Sequence, residues 1–245
     1  LRGYYEDRYR FSSNFGHDYL ISFFAEDLFE SGGTRIQDPE GDNAIQSDRL
    51  EFENTFAATA SQLITNAEDN DDGWAVITLG NNSLTIFGVS SNELKPDYFH
   101  IIPIIDNFIS GTSNDDRLEG TSGNDYIEGS SDSLGGFEDG SDILIGGEGD
   151  DVLIGGPNGR SGGGFEIDTY VFDNNSGNDI VIGFLFDGTG YASIYNDVME
   201  VKENINNSGI TTYQDILAGT TDNADGWAVI DLGSNNSITL HGVGK

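Results

Sequence analysis

Gly146-Gly-Glu-Gly-Asp-Asp-Val-Leu-Ile154, GGEGDDVLI, sets three uncongenial chemistries side by side. Glycine loses more backbone freedom on folding than any other residue. Asp150 and Asp151 repel one another, and Val152, Leu153 and Ile154 gain from burial. The arrangement recurs. Gly111–Glu119 (GTSNDDRLE) runs directly into Gly120–Glu128 (GTSGNDYIE), and the last seven positions return as DGSDILI before Gly146 and FEIDTYV after Ile154. The sixth-position acids are Asp116, Asp125, Asp142, Asp151 and Asp168, at steps of 9, 17, 9 and 17. Each longer step is one nonapeptide plus an insertion of eight, Ser131–Glu138 or Pro157–Gly164. Asn174–Ile182 (NNSGNDIVI) adds Asp179 to the series.

Units of Gly-Gly-x-Gly-x-Asp-x-aliphatic-x resemble the RTX, or haemolysin-type calcium-binding, nonapeptide repeat. Gly146–Ile154 matches every specified position, and its neighbours match in part. The resemblance covers about residues 111–184. It implies an all-β fold, a parallel right-handed β-roll in which six residues turn, three form a strand, and two units complete one coil. It also implies several Ca²⁺ ions between stacked turns, held by backbone carbonyls and sixth-position aspartates. Strands stacked about 4.8 Å apart bring successive aspartates equally close. Two carboxylates at that distance repel by about 3 kcal/mol at an effective dielectric of 20. A hard dication taking six to eight oxygens reverses the sign. Leu118, Ile127, Leu144, Leu153 and Tyr170 then point inward as a thin core, so ion binding and folding are expected to be coupled.

Alternate units lie on opposite sides of such a roll. One side is free of insertions and carries Asp125, Asp151 and Asp179, with turn positions Gly120, Ser122 and Gly123, then Gly146, Gly147, Glu148 and Gly149, then Asn175 and Gly177. At least two ions are expected there. Asp116, Asp142 and Asp168, with Gly140, form a second set whose turns are interrupted by the insertions or have lost a glycine. The two insertions are expected to stack as a double loop.

The flanks repeat each other. DRYRFSSNFGHDYLISF (Asp7–Phe23) answers DTYVFDNNSGNDIVIGF (Asp168–Phe184), DRLEF at Asp48 answers DVMEV at Asp197, and Asp71–Val89 answers Ala224–Val243 with one residue inserted. Each copy predicts a hairpin: Trp74–Leu79 and Leu84–Phe87 around Gly80–Ser83, and Trp227–Leu232 and Ile238–Leu240 around Gly233–Ser237. A short helix is predicted ahead of each, from Thr59-x-x-Gln62 and Thr211-x-x-Gln214, with Leu63, Ile64, Ile216 and Leu217 as apolar anchors. The two tryptophans are assigned to core packing. The expected organisation is a first capping module at 1–90, a linker or capping strand at 91–110 with Pro103 favouring a sheet edge, the roll at 111–184, and a second capping module at 185–245. The opening pattern Asp7-x-Tyr9-x-Phe11 matches the end of the roll, which makes the first module the cap of an earlier roll, with Asp18 retaining part of a site.

Composition bounds the partners. Forty-three acidic against ten basic residues give a net charge of −33, which disfavours nucleic acid and anionic membranes. With 36% hydrophobic and 11% aromatic residues, the acidity points to cation binding rather than disorder. The absence of cysteine removes disulfides and thiolate metal sites. No stretch approaches the ~18 apolar residues of a membrane span, so no membrane insertion is expected. LRGYYEDRYRF at the start lacks the apolar core of a signal peptide and reads as the continuation of a longer chain.

Nothing identifies an enzyme. Gly159-Arg-Ser-Gly-Gly163 fits the hydrolase elbow only as letters, inside a glycine-rich insertion. His17, His100 and His241 lack zinc spacing, and Glu68–Leu79 lacks the closing glutamate of an EF-hand. The expectation is a non-catalytic, calcium-binding region of a secreted bacterial protein, exported by a type I-like route and monomeric as a fragment. The alternatives are an adhesive or polysaccharide-binding surface, or the tail of a secreted metalloprotease, lipase or alginate epimerase with its chemistry upstream.

Overall fold

The computed structural model describes residues 8–12, 15–20, 49–129, 140–156, 160–161, 164–165, 167–184 and 196–244. The chain divides into two compact units, Leu1–Ile101 and Ile102–Lys245.

The first unit holds β1 (Arg8–Phe11), β2 (His17–Leu20), β3 (Arg49–Glu53), helix α1 (Ala60–Thr65), β4 (Ala67–Asp69), β5 (Ala75–Leu79), β6 (Asn82–Ile86) and β7 (Phe99–Ile102). They form two sheets, β1-β3-β7 and β2-β6-β5-β4. β7 is an edge strand that stops one residue before Pro103, whose missing amide could not have extended the ladder. β1 is parallel to β3 and β2 to β6, while β4, β5 and β6 form an antiparallel meander. Phe11 stacks on Phe52 at 4.6 Å, with Phe15, Phe56 and Phe99 around them. Beside this cluster Arg10 donates from Nε and Nη2 to Glu51 Oε2, a carboxylate removed from water.

The second unit begins as a parallel roll. In chain order come β8 (Asn107–Ser110), β9 (Arg117–Glu119), β10 (Asp125–Glu128), β11 (Ile143–Ile145), β12 (Val152–Ile154), the two-residue pair β13 (Arg160–Ser161) and β14 (Gly164–Phe165), β15 (Thr169–Phe172), β16 (Asn178–Ile182) and β17 (Val198–Val201). They sort alternately into two sheets, β8-β10-β12-β16 and β9-β11-β15-β17. Every neighbouring pair within each set is parallel, with repeat positions in register: Tyr126 opposite Val152 opposite Ile180, and Arg117 opposite Ile143 opposite Thr169. The alternation expected from nine-residue units is present strand by strand. Eighth positions fill the interior: Ile127, Leu144, Leu153 and Tyr170 are buried with Val181, and Leu118 packs at the margin.

The roll starts earlier than residue 111. β8 pairs in full register with β10, placing Asn107 opposite Asp125. An asparagine where the repeat has aspartate, and no preceding glycines, leave this coil outside the glycine-marked series.

Helix α2 (Tyr213–Gly219), β18 (Thr220–Asp222), β19 (Ala228–Gly233) and β20 (Asn236–Leu240) follow, with β20 pairing parallel to β16. The pairings β15–β17, β16–β20 and β18–β19–β20 reproduce, one for one, β1–β3, β2–β6 and β4–β5–β6. Local chemistry repeats too. Asn70 Oδ1 accepts from the N–H groups of Asp72 and Trp74, and Asn223 Oδ1 does the same for Asp225 and Trp227. These loops end in hairpins, not cation loops.

Three local expectations shift. α2 starts one residue later than predicted: Thr212 caps it, and Asp215 rather than Gln214 completes the capping box. Leu217 is exposed instead of anchoring the helix, while Ile216 does pack on the core. In the first copy Thr59 caps α1, and Gln62 reaches past it to the Ala58 N–H. Trp227 is buried, but Trp74 is only half-buried, its ring tilted against that of Phe87 at 4.2 Å. The insertion Ser131–Glu138 and the stacking of the two insertions lie outside the described residues. Within the second insertion, Arg160 and Ser161 sit in a strand pair rather than on the strand-to-helix elbow of a hydrolase.

Candidate metal centre

The sixth-position aspartates form two ladders, one along each side of the roll. Each uses one carboxylate oxygen to tie neighbouring coils. On the uninterrupted side the Asp125 N–H donates to Asp151 Oδ1 at 2.8 Å, and the Asp151 N–H to Asp179 Oδ1 at 3.0 Å. On the other side Asp116 donates to Asp142 at 2.8 Å, Asp142 to Asp168 at 2.9 Å, and Asp168 to Asp197 at 3.1 Å. All bonds run the same way, from the N–H of an earlier coil to the carboxylate of the next. Asp125, Asp142, Asp151, Asp168 and Asp179 are essentially inaccessible to water.

The second carboxylate oxygen divides the ladder. Asp116 Oδ2 accepts from the N–H and hydroxyl of Thr112, both at 2.7 Å. Asp125 Oδ2 accepts from the N–H and hydroxyl of Thr121, at 2.5 and 3.0 Å. Asp142, Asp151 and Asp179 have a buried Oδ2 with no hydrogen-bond partner. Ser176 approaches Asp179, but its hydroxyl is not aligned as a donor. An unpartnered buried acceptor is costly, and an anionic one more so. These three atoms call for protons or a cation.

Their acidity records the same cost. Burial raises Asp142 to about 6, Asp151 to about 7 and Asp179 to about 8, with repulsion from Asp116, Asp125 and Asp151 respectively adding to it. The ladder N–H bonds act in the opposite sense and do not cancel the burial.

Glycine makes room around these oxygens. A methyl group on Gly129, Gly146 or Gly155 would collide with Oδ2 of Asp142, Asp151 or Asp168. Gly149, at φ 121° in a region closed to side chains, lies over the Gly123 carbonyl, and Gly177 lies over that of Gly149. Gly147 similarly faces the Thr121 carbonyl, so carbonyl oxygens of one turn point at the glycines of the next. Among the described residues no three acidic or imidazole side chains converge. An ion here would therefore take its oxygens mainly from the backbone, with one or two carboxylates. Hard, oxygen-only donors suit Ca²⁺.

The remaining candidates fall into place around this. Gly120 and Gly146 occupy equivalent first positions, with the Gly146 carbonyl against Gly120. Ser122 and Glu148 have exposed side chains, and Glu148 joins its turn to the previous one through its N–H to Thr121 O. Gly140 packs against the backbone of Asn114 and Asp115. Asn175 is in the left-handed conformation and donates its N–H to Asn206, while Gly177 is covered by Asn236 and Ser237 of the last hairpin. Asp18 is exposed in the first unit.

Sequence reading missed three sets of participants. Asp197 extends the ladder without a glycine turn before it, and its only signal was alignment with Asp48. Fifth positions form a second file, with Asp150 donating its N–H to Asn124 Oδ1 and Ser141 to Asp115 Oδ1. Thr112 and Thr121, passed over as second-position variants, cap the first aspartates.

Comparison with known proteins agrees with the geometry. Residues 106–133 and 138–158 match the model of the RTX calcium-binding nonapeptide repeat, in four copies. No curated protein matches the chain. Among solved structures, the extracellular lipase LipA from Serratia marcescens is similar at 17% identity and a TM-score of 0.28, over 81% of this chain. The chain spans 31% of that lipase's length. Paired turns, alternating strands, aspartate ladders and the family match converge: the segment from 106 to 158 is built of RTX calcium-binding repeats.

Proposed function

We propose that this chain is a non-catalytic, calcium-dependent folding region of a secreted bacterial protein, exported by a type I-like route. The supporting observation is the set of buried, unpartnered Oδ2 atoms on Asp142, Asp151 and Asp179, the first two facing glycines at which a methyl group would fill the space. Asp151 and Asp179 with their turns hold ions on the uninterrupted side, where Thr121 already closes Asp125, and Asp142 with Asp168 hold one on the other. Bound calcium supplies charge neutralisation and bridging between coils. The protein's own residues set the spacing, exclude water and present carbonyl oxygens. The roll's own interior, Ile127, Leu144, Leu153, Tyr170 and Val181 with Leu118 at the margin, is too thin to order this many glycines alone. In calcium-poor cytosol the roll stays loose, and extracellular millimolar calcium closes it. The test is circular dichroism and calcium counting with and without chelator. Gain of β signal with at least two ions bound supports the reading, and identical cooperative folding in EDTA overturns it.

Carbohydrate binding is a second reading, favoured by one observation in the first unit. Tyr19, 66% exposed, lies 5.8 Å from Phe87, whose ring is tilted against half-buried Trp74. Such a surface suits the apolar face of a sugar ring. A glycan array answers it: signal lost in Tyr19→Ala supports the platform, and no signal removes it.

A further inference from the structure

The duplication makes one surface of the first unit interpretable. β15 and β16 each use one edge for their own module, pairing with β17 and β20. The opposite edges pair with the roll strands β11 and β12. β1 and β2 are their counterparts, residue for residue, and likewise pair with β3 and β6 on the module side. On the other side both are terminal: β1 ends the sheet β1-β3-β7 and β2 ends β2-β6-β5-β4. Among the described residues, no strand completes them there.

The side chains at that edge differ accordingly. Asp179 is buried and takes the Asp151 N–H, whereas its counterpart Asp18 is exposed. Ile180 is half-buried, whereas its counterpart Tyr19 is 66% exposed. Sequence spacing carries the frame further. With Asp7 as a sixth position, Arg2–Glu6 are positions one to five, and Leu1 is a ninth position.

We propose that the β1 and β2 edge of the first unit is a second roll-docking surface, whose occupant is a calcium-loaded coil of two nonapeptide units. Its strands add in parallel to β1 and β2, and its aspartate N–H donates to Asp18 as Asp151 donates to Asp179. This rests on the calcium reading of the repeats and extends it from one roll to two. Exposed parallel edges of this kind are otherwise templates for unwanted pairing.

The test fuses two tandem copies of Gly146–Ile154, the unit with glycine at its second position, in front of Arg2, in place of Leu1, in the full chain. Calcium is counted by mass spectrometry, and amide exchange is followed in β1 and β2. The expected result is at least one more ion than the parent chain and at least tenfold slower exchange in both strands. Asp18→Asn in the fusion returns the count to that of the parent. An unchanged count with unchanged exchange overturns the proposal. Absence of calcium from both parent and fusion instead overturns the calcium reading on which it rests.

Discussion

Asp125 and Asp151 occupy the same position of neighbouring coils, on adjacent strands of one sheet, and both are buried. Asp125 is complete within the protein, because Thr121 supplies two donors to its second oxygen. Asp151 has glycine at the corresponding place, Gly147, and its second oxygen has no donor. Asp116, capped by Thr112, is complete in the same way, whereas the second oxygens of Asp142 and Asp179 have no donor. Early rungs are closed by hydrogen bonds, while later rungs are left for something else to close. A threonine-to-glycine exchange at a second position thus trades self-sufficiency for dependence on a ligand.

The largest effect that separates the two kinds of rung is calcium removal. At a hundred times the dissociation constant, one ion contributes about 2.7 kcal/mol, or roughly a hundredfold in opening equilibrium. Amide exchange in EDTA at pH 8 should therefore accelerate about a hundredfold in β11, β12, β15 and β16. The hairpin β5–β6 should change by less than about threefold, being closed without carboxylate ladders. Uniform loss across the chain would erase the distinction.

Gly146→Ala comes next, at about 2 kcal/mol in urea denaturation with saturating calcium, because its methyl group meets the Asp151 carboxylate. Gly219→Ala, with open space around it, should stay within about 0.5 kcal/mol. Asp151→Asn should weaken calcium binding at least tenfold, about 1.4 kcal/mol, in isothermal titration. Asp116→Asn should alter it by less than about threefold, since Thr112 already occupies its second oxygen.

A smaller, pH-linked difference follows from burial. Folded Asp179 releases its proton only near 8, far above an unfolded aspartate. The folded state thus binds more protons between those limits, and without calcium the roll loses stability as pH rises through that window. Lowering pH from 8 to 5 in EDTA should restore part of the lost protection, and Asp179→Asn should flatten the response. With calcium present the trend reverses, because protons and the ion compete for the same oxygens. Smallest is Thr121→Ala, at about 1 kcal/mol in thermal unfolding with the ion count unchanged.

Period made the roll legible: sixth-position aspartates and eighth-position aliphatics announce themselves whenever glycine marks the turn. Where glycine was missing the reading lost track, as at Asn107, which opens the roll, and Asp197, which prolongs its ladder. Side-chain competition was equally opaque. Thr211 and Thr212 both look like caps, and the choice fell to the one that sets Asp215 three positions on, where a charged acceptor meets two N–H groups. The split between Asp125 and Asp151 was invisible because it turns on the second-position residue, Thr121 against Gly147, a detail the repeat consensus treats as background.

The uniform direction of the aspartate bonds gives the roll a polarity like that of a zip fastener. Its leading end offers acceptors and its trailing end donors, so the two ends are complementary to one another and not to themselves. Two such rolls meeting front to front would oppose acceptor with acceptor, which rules against a twofold-symmetric end contact. Lengthening by whole coils, in contrast, leaves every existing bond intact, and a roll of this kind can differ in length between proteins without redesign of its interior.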